Sequence, residues 1–181
     1  HVAGPRVELA TRTIFNILGP ICNPSGVKRQ LTGVYSKALV EPIAHALKNL
    51  GTDRTWVVHG SDGTDELTTT GYSYVASLEN GEVSTFKISP GDAGLPESDP
   101  EDLKGGDGEY NAVAIRKLLD GEPGSYRDVV LLNAAAGLLI ADKVKNLKDG
   151  VKLASEAIDT GMAKRTLSRM IEITNKVGET S

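Results

Sequence analysis

LTGVYSKALVEPIAHALKNLGTDRTWVVHG (31–60) decides the fold class of this chain. LTGVYS (31–36) is short and weakly alternating, the pattern of a buried strand. Ser36 stands where its hydroxyl can take an orphan first-turn amide, capping a helix over 37–50 that Gly51 closes. RTWVVHG (54–60) then supplies a second strand. Two strands joined by a crossover helix of about a dozen residues favour parallel pairing within one sheet.

Reading toward the C-terminus, SYVASLENGEVSTFKIS (73–89) places Asn80-Gly81 between two alternating runs, a strong short-range signal for a hairpin. The expected architecture is therefore α/β, with a mixed, mainly parallel sheet flanked by helices. SPGDAGLPESDPEDLKGGDGE (89–109) is polar and rich in glycine and proline, with Asp99-Pro100-Glu101 as the cap and first turn of one short helix. Beyond it the pattern is helical. Ser125 and Asp128 fit a capping box ahead of VVLLNAAAGLLIADKV. Two further helices are expected near 147–159 and 161–175. Ala154, Ala157 and Ile158 mark the apolar side of one, and Ala163, Leu167, Met170, Ile171 and Thr174 that of the other.

Toward the N-terminus, Val7, Leu9, Ile14, Phe15, Ile17 and Leu18 predict a helix over 5–18 that stops at Gly19-Pro20. ICNPSGVKRQ (21–30) reads as a turn-rich linker or hinge. The chain opens in an amphipathic pattern with no methionine, so the expectation is that upstream sequence is missing from it.

The chain has 181 residues, enough for one medium domain, with 39% hydrophobic and 24% charged residues, as in ordinary globular proteins. A formal net charge of −4 offers no general attraction to nucleic acid or anionic membrane. Lysines and arginines between 143 and 169 alternate with acids, which fits a solvated helical face. Cys22 is the single cysteine, so neither an intrachain disulfide nor a cysteine-rich metal site can form. There is no apolar run of membrane-spanning length, and a reducing cytoplasm is the expected compartment.

The densest chemistry lies in HGSDGTDE (59–66), where Asp62, Asp65 and Glu66 follow the second strand. Ligands of α/β sheets bind beyond the carboxyl ends of parallel strands. Glycines at 60 and 63 permit a tight turn, and the adjacent acids Asp65 and Glu66 are hard oxygen donors of the kind Mg²⁺ takes. The competing interpretation is a solvated acidic turn, which pattern alone favours. Arg6 carries a guanidinium suited to a carboxylate or phosphate, against the alternative of a surface ion pair with Glu8, and Arg12 is equally ambiguous. His59 is read as a hydrogen-bonded structural residue rather than a general base, and His1 and His45 as solvent-facing. Asn133 with Ala134–Ala136 and Gly137 marks close helix packing. No phosphate-loop, dinucleotide, nucleophile-elbow or zinc-protease motif occurs.

Four stretches in order, HVAGPR…RTIFNILGPICNP, VVHGSDGTDELTTT, LLNAAAGLLIADKV and AIDTG, resemble the anthranilate phosphoribosyltransferases over essentially the whole chain. The resemblance implies transfer of a phosphoribosyl group from phosphoribosyl pyrophosphate to the amino group of anthranilate, in tryptophan biosynthesis. It further implies Mg²⁺ on Asp65 and Glu66, anthranilate on Arg6, no residue of the chain assigned as a catalytic acid or base, and a cytoplasmic homodimeric parent. Residues 1–22 would then be a remnant of a small helical domain, and 23–181 the α/β phosphoribosyltransferase domain. Family members also carry upstream a Gly-Thr-Gly-Gly-Asp phosphate loop and a Lys-His-Gly-Asn loop, neither of which occurs here. The chain alone is therefore expected to have negligible transferase activity. The rival functions are a pyrimidine nucleoside phosphorylase-like enzyme on the same fold and a folded, non-catalytic fragment.

Overall fold

The computed structural model describes residues 18–178 apart from 20 and 24. Arg6, Arg12, His1 and nearly all of the predicted first helix lie outside the described residues. The helical bonding at its end runs further than expected. Leu18, Gly19 and Ile21 are helical, and the Cys22 amide donates to the Leu18 carbonyl at 2.9 Å. A proline at 20 removes its own donor and no other, so this bond two residues later is unaffected. The segment after it turns as expected, with Asn23 Oδ1 accepting from the Ser25 amide.

The chain divides into two compact units, residues 1–67 with 73–88, and residues 68–72 with 89–181. In the first, β1 (Arg29–Gly33), β2 (Arg54–Gly60), β3 (Ser73–Glu79) and β4 (Glu82–Ile88) lie in the order β1-β2-β3-β4. The sheet is mixed, as expected. Its parallel part is the β1–β2 pair, and the β2–β3 and β3–β4 pairs are antiparallel, so the parallel portion among the described strands is smaller than anticipated. The cause is the hairpin, which supplies two of the strands. At its tip Asn80 (φ 52°) and Gly81 (φ 77°) are both left-handed, the conformation that matches a two-residue turn to the twist of its strands.

β1 begins two residues before the expected strand and ends at Gly33. The ladder still continues one bond further, from the Val34 amide to the Val58 carbonyl at 3.0 Å. Ser36 caps the crossover as anticipated, its hydroxyl accepting from the Ala38 amide. The first turn is 3₁₀ (Lys37–Leu39), followed by α1 (Val40–Asn49). Val40, Ile43, Ala44 and Leu47 of α1 pack with Val34, Val57 and Ala76 of the sheet face to make the core of this unit. On the opposite face Trp56 and Phe86 meet edge to face, 5.4 Å between centroids.

The second unit is helical: α2 (Gly108–Leu119), α3 (Ser125–Ile140), α4 (Leu147–Asp159) and α5 (Met162–Gly178). The short 3₁₀ helix Pro100–Leu103 is capped by Asp99, as its sequence implies. The Ser125–Asp128 capping box does not form. α3 starts one residue earlier on Gly124, whose φ of 138° suits glycine, and the Ser125 hydroxyl donates instead to Asp102 at 3.0 Å. The alanine-rich stretch packs closely, as its composition suggests. Gly150 of α4 lies where a Cβ would come within 2.7 Å of the Ala135 Cβ. Asn133 donates its amide to the Val129 carbonyl one turn back. The basic residues between 143 and 169 are exposed.

A polar clasp fastens α3 to α4. Arg127, 11% exposed, donates to the Gly121 carbonyl, to Ser155 and to Asp159. Its hydrogen bond, with a second from Ser155, holds the Asp159 carboxyl below the usual aspartate range. A lowered carboxyl lends stability above its unfolded value and loses it as pH falls through the folded one. Asp159→Asn is therefore expected to lower the unfolding midpoint at pH 7, with the difference from wild type closing below about pH 3.9 in urea titrations. A pH-independent difference contradicts the charge-assisted clasp.

Candidate functional site

Parallel pairing puts the C-terminal ends of β1 and β2 side by side, in the register Gly33–Val58. A side-chain contact fixes those ends to each other beyond the ladder. The Val34 carbonyl accepts from His59 Nδ1 at 2.9 Å, which leaves Nε2 as the unprotonated nitrogen of the neutral ring. His59 is thus a hydrogen-bonded strand-end residue, as its position suggested. At the opposite, N-terminal ends of the two strands, the buried Thr55 hydroxyl donates to the Gln30 carbonyl at 2.8 Å.

The acid loop leaves β2 from this fixed end. The Gly60 amide donates to the Thr64 carbonyl and the Gly63 amide to the Gly60 carbonyl, at 2.9 and 3.0 Å. Gly63 has a φ of 95°, where a side chain would be strained. Asp62 Oδ1 accepts from both the amide and the hydroxyl of Thr64, at 3.1 and 2.8 Å. All three acids are exposed, but Asp62 is engaged in shaping the turn through Thr64, and Asp65 and Glu66 stand next to each other beyond it.

Glu66 is exposed as a residue, yet its carboxyl is partly desolvated and faces the charges of Asp65 and Asp62. Desolvation first, then those two neighbours, push its pKa up from the usual glutamate value. No group of three histidine, cysteine or acidic residues suited to a metal occurs among the described residues. The chemistry of the donor set fits Mg²⁺, which takes one or two carboxylates and completes its octahedron with water and substrate phosphate oxygens. It does not fit a cation that needs an all-protein cage.

Gly33, which the sequence did not single out, completes the geometry. A Cβ built on it would overlap the Asp65 carbonyl oxygen and lie 2.6 Å from the carbonyl carbon. Only a residue without a side chain lets the loop lie on the end of β1. No local pattern signals this, because the partner is remote in sequence. Gly33 also borders a groove of about 550 Å³ at the open side of β1, with Thr32, Leu31, Gln30 and Cys22. The segment continues past Leu67 as Thr68–Thr70. Thr68 Oγ1 there pairs with Thr70 Oγ1 at 3.0 Å, and the Thr69 carbonyl accepts from the Ser98 amide at 2.8 Å.

The metal-free loop is expected to be strained by its own charge. A carboxyl with a raised pKa lends stability only below its unfolded value, and loses it as pH rises through the folded one. Glu66→Gln should therefore raise the thermal midpoint of the metal-free chain at pH 7, with the gain vanishing below about pH 4.3. A lowered midpoint at pH 7, read by differential scanning fluorimetry, contradicts the repulsion.

Comparison with known proteins gives the site its context. The sequence model of the glycosyl transferase family, a/b domain, matches residues 1–164. An anthranilate phosphoribosyltransferase of Parvibaculum lavamentivorans is 58% identical over 175 residues, 97% of this chain and 51% of that protein. One from Rhodopseudomonas palustris is 57% identical over 173 residues, 96% and 51% respectively. The solved anthranilate phosphoribosyltransferase of Thermus thermophilus superposes with a TM-score of 0.85 at 42% identity, over 93% of this chain and 50% of that one. The Saccharomyces cerevisiae enzyme, solved in complex with PRPP and Mg, gives 0.84 at 30% identity, over 95% and 50%. The chain thus spans about half the length of the curated relatives it matches. A mixed sheet with a crossover helix, an acid loop at its parallel strand ends and a match over residues 1–164 together place the chain in the glycosyl transferase family, as a carrier of its a/b domain.

Proposed function

We propose that this chain is the metal-binding part of an anthranilate phosphoribosyltransferase, which joins anthranilate to phosphoribosyl pyrophosphate in tryptophan biosynthesis. The observation that carries the proposal is the paired Asp65–Glu66 carboxylates on a loop fixed to the ends of β1 and β2, in a chain this similar to enzymes of that name. In the reaction the anthranilate nitrogen bonds to ribose C1 as the bond from C1 to the pyrophosphate oxygen breaks, its electron pair leaving with pyrophosphate, and the nitrogen then releases one proton to solvent. Mg²⁺ bound there would supply positive charge against the leaving diphosphate.

The chain's own residues take three roles. Asp65 and Glu66, both exposed, would hold the cation where a phosphate-bearing substrate can reach it. Asp62 keeps the turn through Thr64. Arg6 pairs with the anthranilate carboxylate through its planar fork of donors. Residues 1–22 belong to a helical domain and 23–181 to the catalytic domain of the complete protein, a cytoplasmic homodimer. The described residues include no helix long and apolar enough to cross a membrane.

The test is an assay of anthranilate consumption by fluorescence, on the complete protein and on the chain of 181 residues. The complete protein should turn over with Mg²⁺, and Asp65→Ala or Glu66→Ala should reduce kcat/KM by about a hundredfold or more. Arg6→Ala should act chiefly on the KM for anthranilate. The short chain should show no turnover. A complete protein that ignores anthranilate and cleaves pyrimidine nucleosides with phosphate overturns the assignment.

A further inference from the structure

The close approach of Asp65 to Gly33 gives β1 a part in the site that its sequence does not announce. A Cβ on Gly33 would occupy the space of the Asp65 carbonyl, and what it displaces is backbone, which cannot rotate aside as a long side chain can. The seat is otherwise rigid. The Val34 amide and carbonyl are both bonded to β2, to the Val58 carbonyl at 3.0 Å and His59 Nδ1 at 2.9 Å, so β1 cannot recede. On the loop side, the bonds from Gly60 to Thr64 and from Thr64 to Asp62 fix the turn that delivers Asp65. A side chain at 33 must therefore move the loop rather than the strand.

We propose that Gly33 is a positioning residue of the acid loop: its bare backbone at the end of β1 sets where Asp65 and Glu66 present their carboxylates. The proposal rests on the assignment of that loop to a divalent cation. Gly33 has no side chain with which to ligate a metal, and acts through the Asp65 backbone. The expected effect is that of losing a group which orients metal ligands, about tenfold or more in metal affinity.

The experiment compares Gly33→Ala with wild type in the 181-residue chain, using amide spectra and Mn²⁺ alone as the probe. Leu47→Ala, on the buried face of α1, serves as a control that lowers stability without touching the loop. Gly33→Ala should shift the amides of residues 60–66 before metal is added, and should weaken Mn²⁺ line broadening of those amides about tenfold or more. Leu47→Ala should leave both readouts near wild type. Loop amides unmoved by Gly33→Ala, a wild-type Mn²⁺ affinity, or an equal loss in Leu47→Ala overturns the proposal. If Gly33→Ala alone does not fold, replacing residues 61–66 by a glycine-serine stretch of equal length should restore folding, because the backbone can then yield. Failure to restore it also overturns the proposal. Wild-type chain that binds no Mn²⁺ at the loop, or binds it equally after Asp65→Ala, defeats the metal assignment alone. The amide shifts still judge Gly33.

Discussion

The parallel pairing of β1 with β2 is the constraint on which the site depends. Two parallel strands end at the same side of a sheet, and here those ends are also bonded to each other through Val34 and His59. The crossover that makes the pairing possible is α1, and its apolar face of Val40, Ile43, Ala44 and Leu47 covers the sheet beside it. Were the pairing shifted by one residue, every side chain of β1 would change face. The same slip would take Gly33 from beneath the Asp65 carbonyl. Core and site therefore share one register.

Against that ordered seat, the loop itself is electrostatically uncomfortable. Desolvation, and after it the charges of Asp65 and Asp62, raise the pKa of Glu66, and no group of three potential metal ligands occurs among the described residues. Local disagreement of this kind, with a well-made scaffold around it, is what a functional site looks like. A divalent cation held there, as proposed, would relieve that repulsion. Mg²⁺, which keeps open positions for phosphate oxygens, also suits a reaction whose leaving group is a diphosphate. In the half-length chain the carboxylates are present with only part of the protein that the relatives possess.

Much of this was legible in the residues because its signals are local. Asn80-Gly81 announces a turn that needs two left-handed residues, and both are left-handed. Ser36 and Asp99 stand one residue before their helices and cap them. The alternating and helical periods gave the strands and the crossover. What escaped depends on partners distant in sequence. Ser125 has the chemistry of a cap, but Asp102 takes its hydroxyl and Gly124 begins the helix. Gly33 sits at an ordinary strand end, and its requirement comes from a carbonyl in the loop after β2, remote in sequence. The balance of parallel and antiparallel pairing was also beyond local pattern, since it depends on which strands become neighbours. The acids at 65 and 66 were singled out by type and adjacency, while the turn-shaping part of Asp62 required the bonds to Thr64.

A crystal structure of the chain grown with Mn²⁺ and pyrophosphate, with anomalous scattering collected at the manganese edge, tests the central claim most directly. The expected result is a manganese peak about 2.1 Å from carboxylate oxygens of Asp65 and Glu66, with pyrophosphate oxygens on its other side. Manganese bound elsewhere, or pyrophosphate ordered away from the ends of β1 and β2 with no metal at the loop, would contradict it.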